Sequence, residues 1–144
     1  MIKLSTKGRY GTRLMLNLGI RFQNEETPVV LKDVSQEEDI SIRYLEQIII
    51  PLKIKKLVKS IRGAGGGHSL AKPPQKIKLL EIIEALEGPL ALVDCLEDRE
   101  ECGRIPFCAT YEVWKEASAL LKDFFQKKTL QDLIEIWKEK NARE

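Results

Sequence analysis

Histidine is all but missing from this sequence: His68 is the only one in 144 residues. No Ser/His/Asp or Cys/His set is apparent, and the lone imidazole follows a run of glycines, which argues against an enzyme built on a positioned base. Paired carboxylates occur between Asp94 and Glu101, but in a solvated acidic stretch with nothing to raise their pKa values. Long apolar runs are lacking too. The longest, such as Ile48–Leu52, fall far short of the ~20 residues a spanning helix needs, so no membrane partner is expected. The N-terminus, Met1-Ile2-Lys3-Leu4-Ser5, shows no apolar stretch followed by a cleavage site, and a cytoplasmic location is the expectation. There is no internal repeat and no low-complexity tract. Gly65–Gly67 make a poor phosphate loop, since no Lys-Ser/Thr follows and no helix begins there.

A strong overall charge is also absent, at a formal net of +2. The distribution is uneven, however. Residues 1–76 hold 14 Lys/Arg against 7 Asp/Glu, and residues 77–144 hold 10 against 15. The first half favours a polyanion and the second would be repelled by one, which implies a division of labour along the chain. With 43% apolar and 32% charged residues, the chain has the makings of one globular domain with a hydrophobic core.

Tyr10, Leu14, Leu18 and Phe22 fall four apart, which predicts an amphipathic helix from Ser5 to Asn24, weakened locally by Gly11 and Gly19. A short helix is expected over Leu31–Glu38, then a turn at Asp39-Ile40-Ser41. Ser41 caps a third helix marked by Ile42, Leu45, Ile48, Ile49 and Leu52. Pro51 should bend or end that helix nearby. Leu57–Arg62 alternates like a strand, Gly63–Gly67 must turn, and His68–Ala71 can return as its partner. Leu80, Ile83 and Leu86 predict a fourth helix ended by Gly88-Pro89. Residues 89–109 have no clear period. Tyr111–Lys127 reads as a long helix with Trp114, Ala117, Leu121 and Phe124 on one face. Thr129 caps a last helix with Leu130, Leu133, Ile134 and Trp137.

Two helices joined by a short turn and followed by a hairpin make a winged helix-turn-helix, so the fold class is mainly α with a small β-hairpin. In that arrangement the second helix of the pair enters the major groove of duplex DNA with its N-terminal residues. Arg43 can donate two hydrogen bonds to guanine, Gln47 can pair with adenine, and Glu46 can accept from cytosine. The glycines of the hairpin let the backbone approach a minor groove, where Arg62 supplies a cation. Tyr44 and Leu45 read equally well as core, and Glu46 as the partner of a neighbouring lysine.

The strings Ser5-Thr6-Lys7-Gly8-Arg9-Tyr10, Tyr44-Leu45-Glu46-Gln47 and Leu57-Val58-Lys59-Ser60-Ile61-Arg62-Gly63-Ala64-Gly65-Gly66-Gly67 resemble the Rrf superfamily of bacterial winged-helix regulators. The resemblance runs nearly the whole chain, through Thr129-Leu130-Gln131-Asp132-Leu133. It implies a homodimer on partly palindromic operators, with the long helix crossing to the partner through Trp114, Leu121 and Phe124. It also implies DNA contacts from Ser41, Arg43, Tyr44, Glu46, Gln47, Lys59, Arg62, Gly65, Gly66 and His68, with Lys7, Arg9 and Tyr10 near phosphates. Residues 1–76 would then be the DNA-binding region. Residues 77–144 would hold the loop at about 90–110 and the dimerisation helices. His68 replaces the usual tyrosine after the glycines, and Lys55-Lys56 replaces the usual Ala/Asn-Gly before the wing.

Cys95, Cys102 and Cys108 sit together in the acidic loop. A disulfide is not expected in a reducing compartment and would leave one thiol over. Metal binding is the better reading, and three thiolates suit either zinc or an iron–sulfur cluster. One branch of the superfamily holds an iron–sulfur cluster on three such cysteines and a histidine three positions on. That position here is Tyr111. By resemblance the cofactor is an iron–sulfur cluster, [2Fe–2S] with [4Fe–4S] as the rival, and iron–sulfur assembly proteins would be partners. The function implied is a cluster-sensing repressor. The alternative is the branch that controls cysteine and sulfur metabolism without a cluster, under a partner protein.

Overall fold

The computed structural model describes residues 3–142, leaving aside the Glu101 side chain; Met1 and Ile2, the start of the stretch read for a leader, lie outside them. Six α-helices and one hairpin follow in the order α1 (Thr6–Gln23), α2 (Leu31–Glu38), α3 (Ile42–Ile54), β1 (Val58–Ile61), β2 (Gly67–Leu70), α4 (Leu79–Glu87), α5 (Ala109–Lys127) and α6 (Leu130–Asn141). One continuous core joins all of them but α5, from Leu14, Met15 and Leu18 of α1 through Leu45, Ile48 and Leu52 of α3 to Ile82, Leu130 and Ile134. Among the described residues no helix is long and apolar enough to cross a membrane.

Helix α1 is the hub. Its N-cap Ser5 accepts from the Gly8 N–H at 3.2 Å, and the Glu87 carboxylate at the end of α4 accepts from both the Ser5 N–H and its hydroxyl. A carboxylate beside the positive end of a helix is favourable. The glycines of α1 serve packing. A β-carbon at Gly11 would overlap the Leu86 methyl groups of α4, so the local loss in helix propensity permits close approach. A backbone clasp, Leu79 N–H to Lys128 O (2.9 Å) and Leu130 N–H to Ile77 O (2.8 Å), pins the α5–α6 junction to the start of α4.

Helix α3 does not stop at Pro51. It continues to Ile54, because Leu52 is fully buried and a Schellman closure completes the last turn. Lys56 N–H donates to Lys53 O (2.9 Å) and Leu57 N–H to Leu52 O (3.0 Å), with Leu52 and Leu57 both buried. Lys56 takes the left-handed conformation this closure requires, at φ 59. Turn residue Asp39 is also left-handed, at φ 54, a position its short polar side chain tolerates.

The hairpin pairs Val58 with Leu70 and Ile61 with Gly67, antiparallel. Val29, just before α2, adds a bridge to it, with Val29 N–H to His68 O at 2.8 Å and His68 N–H to Val29 O at 2.7 Å. A β-carbon at Gly67 would overlap the Val29 backbone, so glycine there lets the wing lie against the helix pair.

Candidate DNA interface and cysteine loop

Helix α3 divides cleanly. Leu45, Ile48, Ile49 and Leu52 face the core, while Ile42, Arg43, Glu46, Gln47, Ile50 and Ile54 lie on the exposed side. Ile54 is 71% exposed and Ile50 is 52% exposed. Large apolar side chains left in water on this face match the contact that reads a thymine methyl. They escaped the sequence reading, although Ile50 follows Arg43 by two helical turns. Ser41 spends its hydroxyl on the cap, accepting from Tyr44 N–H at 3.1 Å.

Lys7 and Arg9 are exposed on the first turn of α1. Tyr10 is half-buried and meets the Tyr44 ring edge-on, with centroids 5.9 Å apart. The Arg9 and Arg13 guanidinium carbons lie 5.8 and 5.4 Å from the Tyr10 ring centre. Tyr44 thereby packs α3, the second helix of the pair and the candidate recognition helix, against α1, a structural task beside any DNA contact. Arg13 also pairs with Glu38 at 3.3 Å, Arg21 pairs with Glu37, and the buried Asn17 donates to Glu37 at 2.8 Å. The acidic end of α2 is thus neutralised by α1, which fixes the helix pair that carries α3. Arg13, Asn17 and Arg21 stand four apart, which aligns them on one face of α1 but does not name their partners on α2.

The wing presents Lys59 and Arg62, both exposed, around Gly65 and Gly66. His68 is half-buried on β2, its Nδ1 3.4 Å from the Ser60 hydroxyl. Desolvation by burial lowers its pKa below the ordinary value, and the nearby Lys53 ammonium of α3 lowers it further. The wing and α3 therefore share one electrostatic neighbourhood, which disfavours the charged form of His68.

Residues 88–108, between α4 and α5, form three short 3-10 turns at Asp94–Leu96, Arg99–Glu101 and Ile105–Phe107. Cys95, Cys102 and Cys108 are free and partly exposed. Cys108 caps α5, whose first residue is two earlier than the sequence pattern predicts. Its thiol pKa is lowered first by the Thr110 side-chain hydrogen bond and then by the Tyr111 backbone N–H, with the Arg104 charge adding a little. The sulfur lies 3.2 Å from the Thr110 hydroxyl. Such a setting favours the thiolate, the ligand form of cysteine. Three thiols on one loop are a donor set that fits an iron–sulfur cluster. Among the described residues no three His, Cys, Asp or Glu side chains are gathered as a metal-ion site. Tyr111, which stands where a histidine ligand was sought, is 4% exposed within α5.

On α5, Trp114 and Phe124 are 42% and 54% exposed, joined by Val113 at 57% and Leu120 at 67%. Leu121 is half-buried and, with Phe125 and Leu4, lines a cavity of its own chain.

A helix-turn-helix that offers Arg43, Glu46 and Gln47 outward, with a basic hairpin beside it, defines a winged-helix DNA-binding protein. Residues 4–136 match the Rrf2 family, described as iron-dependent transcriptional regulators, and the chain belongs to that family. It is 41% identical over 132 residues to the HTH-type transcriptional regulator CymR of Bacillus subtilis, covering 92% of this chain and 89% of that protein. The structure of CymR (YrzC), the global cysteine regulator of B. subtilis, superposes with a TM-score of 0.75 at 40% identity, covering 94% of this chain and 98% of that one. T. potens IscR gives 0.77 at 36% identity, covering 96% and 90%. The chain is a transcriptional regulator, not an enzyme.

Proposed function

We propose that the chain is a homodimeric, cytoplasmic repressor of partly palindromic operators whose Cys95, Cys102 and Cys108 hold an iron–sulfur cluster. The supporting observation is three partly exposed thiols on one loop, one of them acidified by the first turn of a helix. The [2Fe–2S] form is expected and [4Fe–4S] is the alternative. The fourth ligand would come from an acid of this loop, the partner chain, water or a small thiol. When bound, the cluster would supply a link whose presence depends on iron supply and oxidant. Because the thiols are not gathered beforehand, holding it would be coupled to ordering the loop.

The chain's own contacts give the loop a route to DNA. Its N-terminal end is Gly88, next to Glu87, which holds Ser5 and so the start of α1. Helix α1 carries Lys7 and Arg9 and, through Tyr10, touches Tyr44 on the recognition helix. A change in the loop can therefore bias the pose of Arg43, Glu46 and Gln47. The exposed Val113, Trp114, Leu120 and Phe124 support pairing of two copies through α5.

The rival reading is a cluster-free repressor of cysteine and sulfur metabolism under a partner protein. The ungathered thiols and the 41% identity to CymR favour it. Anaerobic purification with iron and sulfide quantitation decides between them. Under the first reading the protein is coloured, and Cys95→Ala, Cys102→Ala or Cys108→Ala bleaches it and alters operator affinity in gel shifts. Colourless, iron-free material after reconstitution, with unchanged gel shifts in the three variants, selects the second. Under both readings Arg43→Ala weakens operator binding by roughly 10- to 100-fold.

A further inference from the structure

Helix α5 has a second face, distinct from the exposed apolar one. Tyr111, Lys115, Ser118 and Lys122 are spaced four, three and four apart, which aligns them on one side of the helix, roughly opposite Val113 and Leu120. That side does not pack solidly on the chain. Between it and residues 89–99 lies a cavity of about 480 Å³, lined also by Leu90, Ala91, Leu96 and Arg99. The volume is in the range of small-molecule sites.

The lining sorts by chemistry. Tyr111 and Ser118 are buried. Ser118 accepts the Leu92 N–H at 3.0 Å, which leaves its own hydroxyl proton to donate. Tyr111 lines the cavity, and its hydroxyl makes no hydrogen bond among the described residues and is not fully enclosed. Lys115 and Lys122 are exposed and join no ion pair among the described residues. Glu97 is the one acid in the lining. One helix face thus offers four donors toward a wall of Leu90, Ala91 and Leu96. Such a site wants an acceptor with negative charge and a short apolar body.

We propose that this cavity binds a small organic carboxylate, its charge held by Lys115 and Lys122, its oxygen met by the Tyr111 hydroxyl, and its apolar part laid on Leu90, Ala91 and Leu96. The far wall is the segment that bears Cys95, so occupancy would stiffen the cysteine loop and act as a second input to the regulator. Because a cluster would order the same loop, binding is read on the iron-free chain.

Isothermal titration of the full chain with hexanoate, hexanamide and inorganic phosphate tests this. Hexanoate is expected to bind, with hexanamide about tenfold weaker or worse through loss of charge-assisted hydrogen bonds. Lys115→Ala with Lys122→Ala should weaken hexanoate at least tenfold with an unchanged melting temperature, because both side chains are exposed. Tyr111→Phe should weaken it a few-fold. Slower amide exchange across residues 90–99 in the presence of hexanoate is expected as well. Hexanamide binding as tightly as hexanoate, phosphate binding as tightly, an unaffected lysine double variant, or no heat at millimolar hexanoate would each overturn the proposal. None of these outcomes touches the iron content or the gel shift, so its failure is separable from that of the cluster reading.

Discussion

The candidate recognition helix and the cysteine loop are two pieces of one chain held in opposite ways. Helix α3 puts Leu45, Ile48, Ile49 and Leu52 into the core, is capped by Ser41, and is closed behind Ile54 by the Schellman turn on Leu52 and Leu57. Between Gly88 and Cys108 no described side chain is buried. Among the described residues the loop is hydrogen-bonded to α5 by the Leu92 N–H to Ser118 and, at its very end, by Cys108 to Thr110. Rigid backbone carries the residues proposed to read DNA, and weakly held backbone carries the cysteines. Segments that respond to ligands come from the low-stability end of a fold by necessity, because a loop already fixed by core contacts would leave a ligand nothing to order.

Truncation should break this symmetry most visibly. Leu45 is 0% exposed, and Leu45→Ala should cost about 2–5 kcal/mol in urea unfolding. Phe107 in the loop is larger but 92% exposed, and Phe107→Ala should stay within about 0.5 kcal/mol. A large loss at Phe107 would mean that the loop is packed in a way its burial does not show.

The better-held half was also the more legible. Helix α2 falls at Leu31–Glu38, ended by the turn read at Asp39, and Ser41 caps α3 as read. Pro51 stands within a turn of the end of α3, as read, but the stop at Ile54 is set by the buried Leu52 and Leu57, which meet only after the chain turns back. The α1–α2 ion pairs and the Tyr10–Tyr44 contact cross between elements, so spacing within either one does not reveal them. The cysteines were legible as a set. Their failure to converge was not, since loop conformation has no period to read. The 4-3-4 spacing along α5 was present throughout, but a stripe becomes a site only when the cavity wall opposite it is known.

Smaller effects sharpen the comparison on the rigid side. Ser41→Ala removes the cap of α3 and should cost about 1 kcal/mol, with operator affinity falling as the first turn frays. Equilibrium unfolding beside a gel shift separates the two. Lys56→Gly should act in the other direction. A left-handed lysine is strained by about 1–2 kcal/mol, and glycine returns part of that as extra unfolded-chain entropy. The expected net is a gain of up to about 1 kcal/mol, and a loss would show that the Lys56 side chain holds the wing junction.

The mildest effect is pH-dependent and belongs to His68. Burial, and then the Lys53 charge, lower its folded pKa below the ordinary 6.5, so at mildly acidic pH the unfolded chain binds more protons than the folded one. Stability should be unaffected by this group above about pH 6.5. It should then fall as the solution is acidified through the ordinary value, and level off below the folded one. His68→Gln keeps a polar group opposite Ser60 and cannot titrate, so its unfolding free energy should lack that decline between pH 7 and 5. A parallel slope in the variant would place the proton uptake elsewhere, and a steeper decline in wild type at low salt than at high salt would assign a measurable share to Lys53.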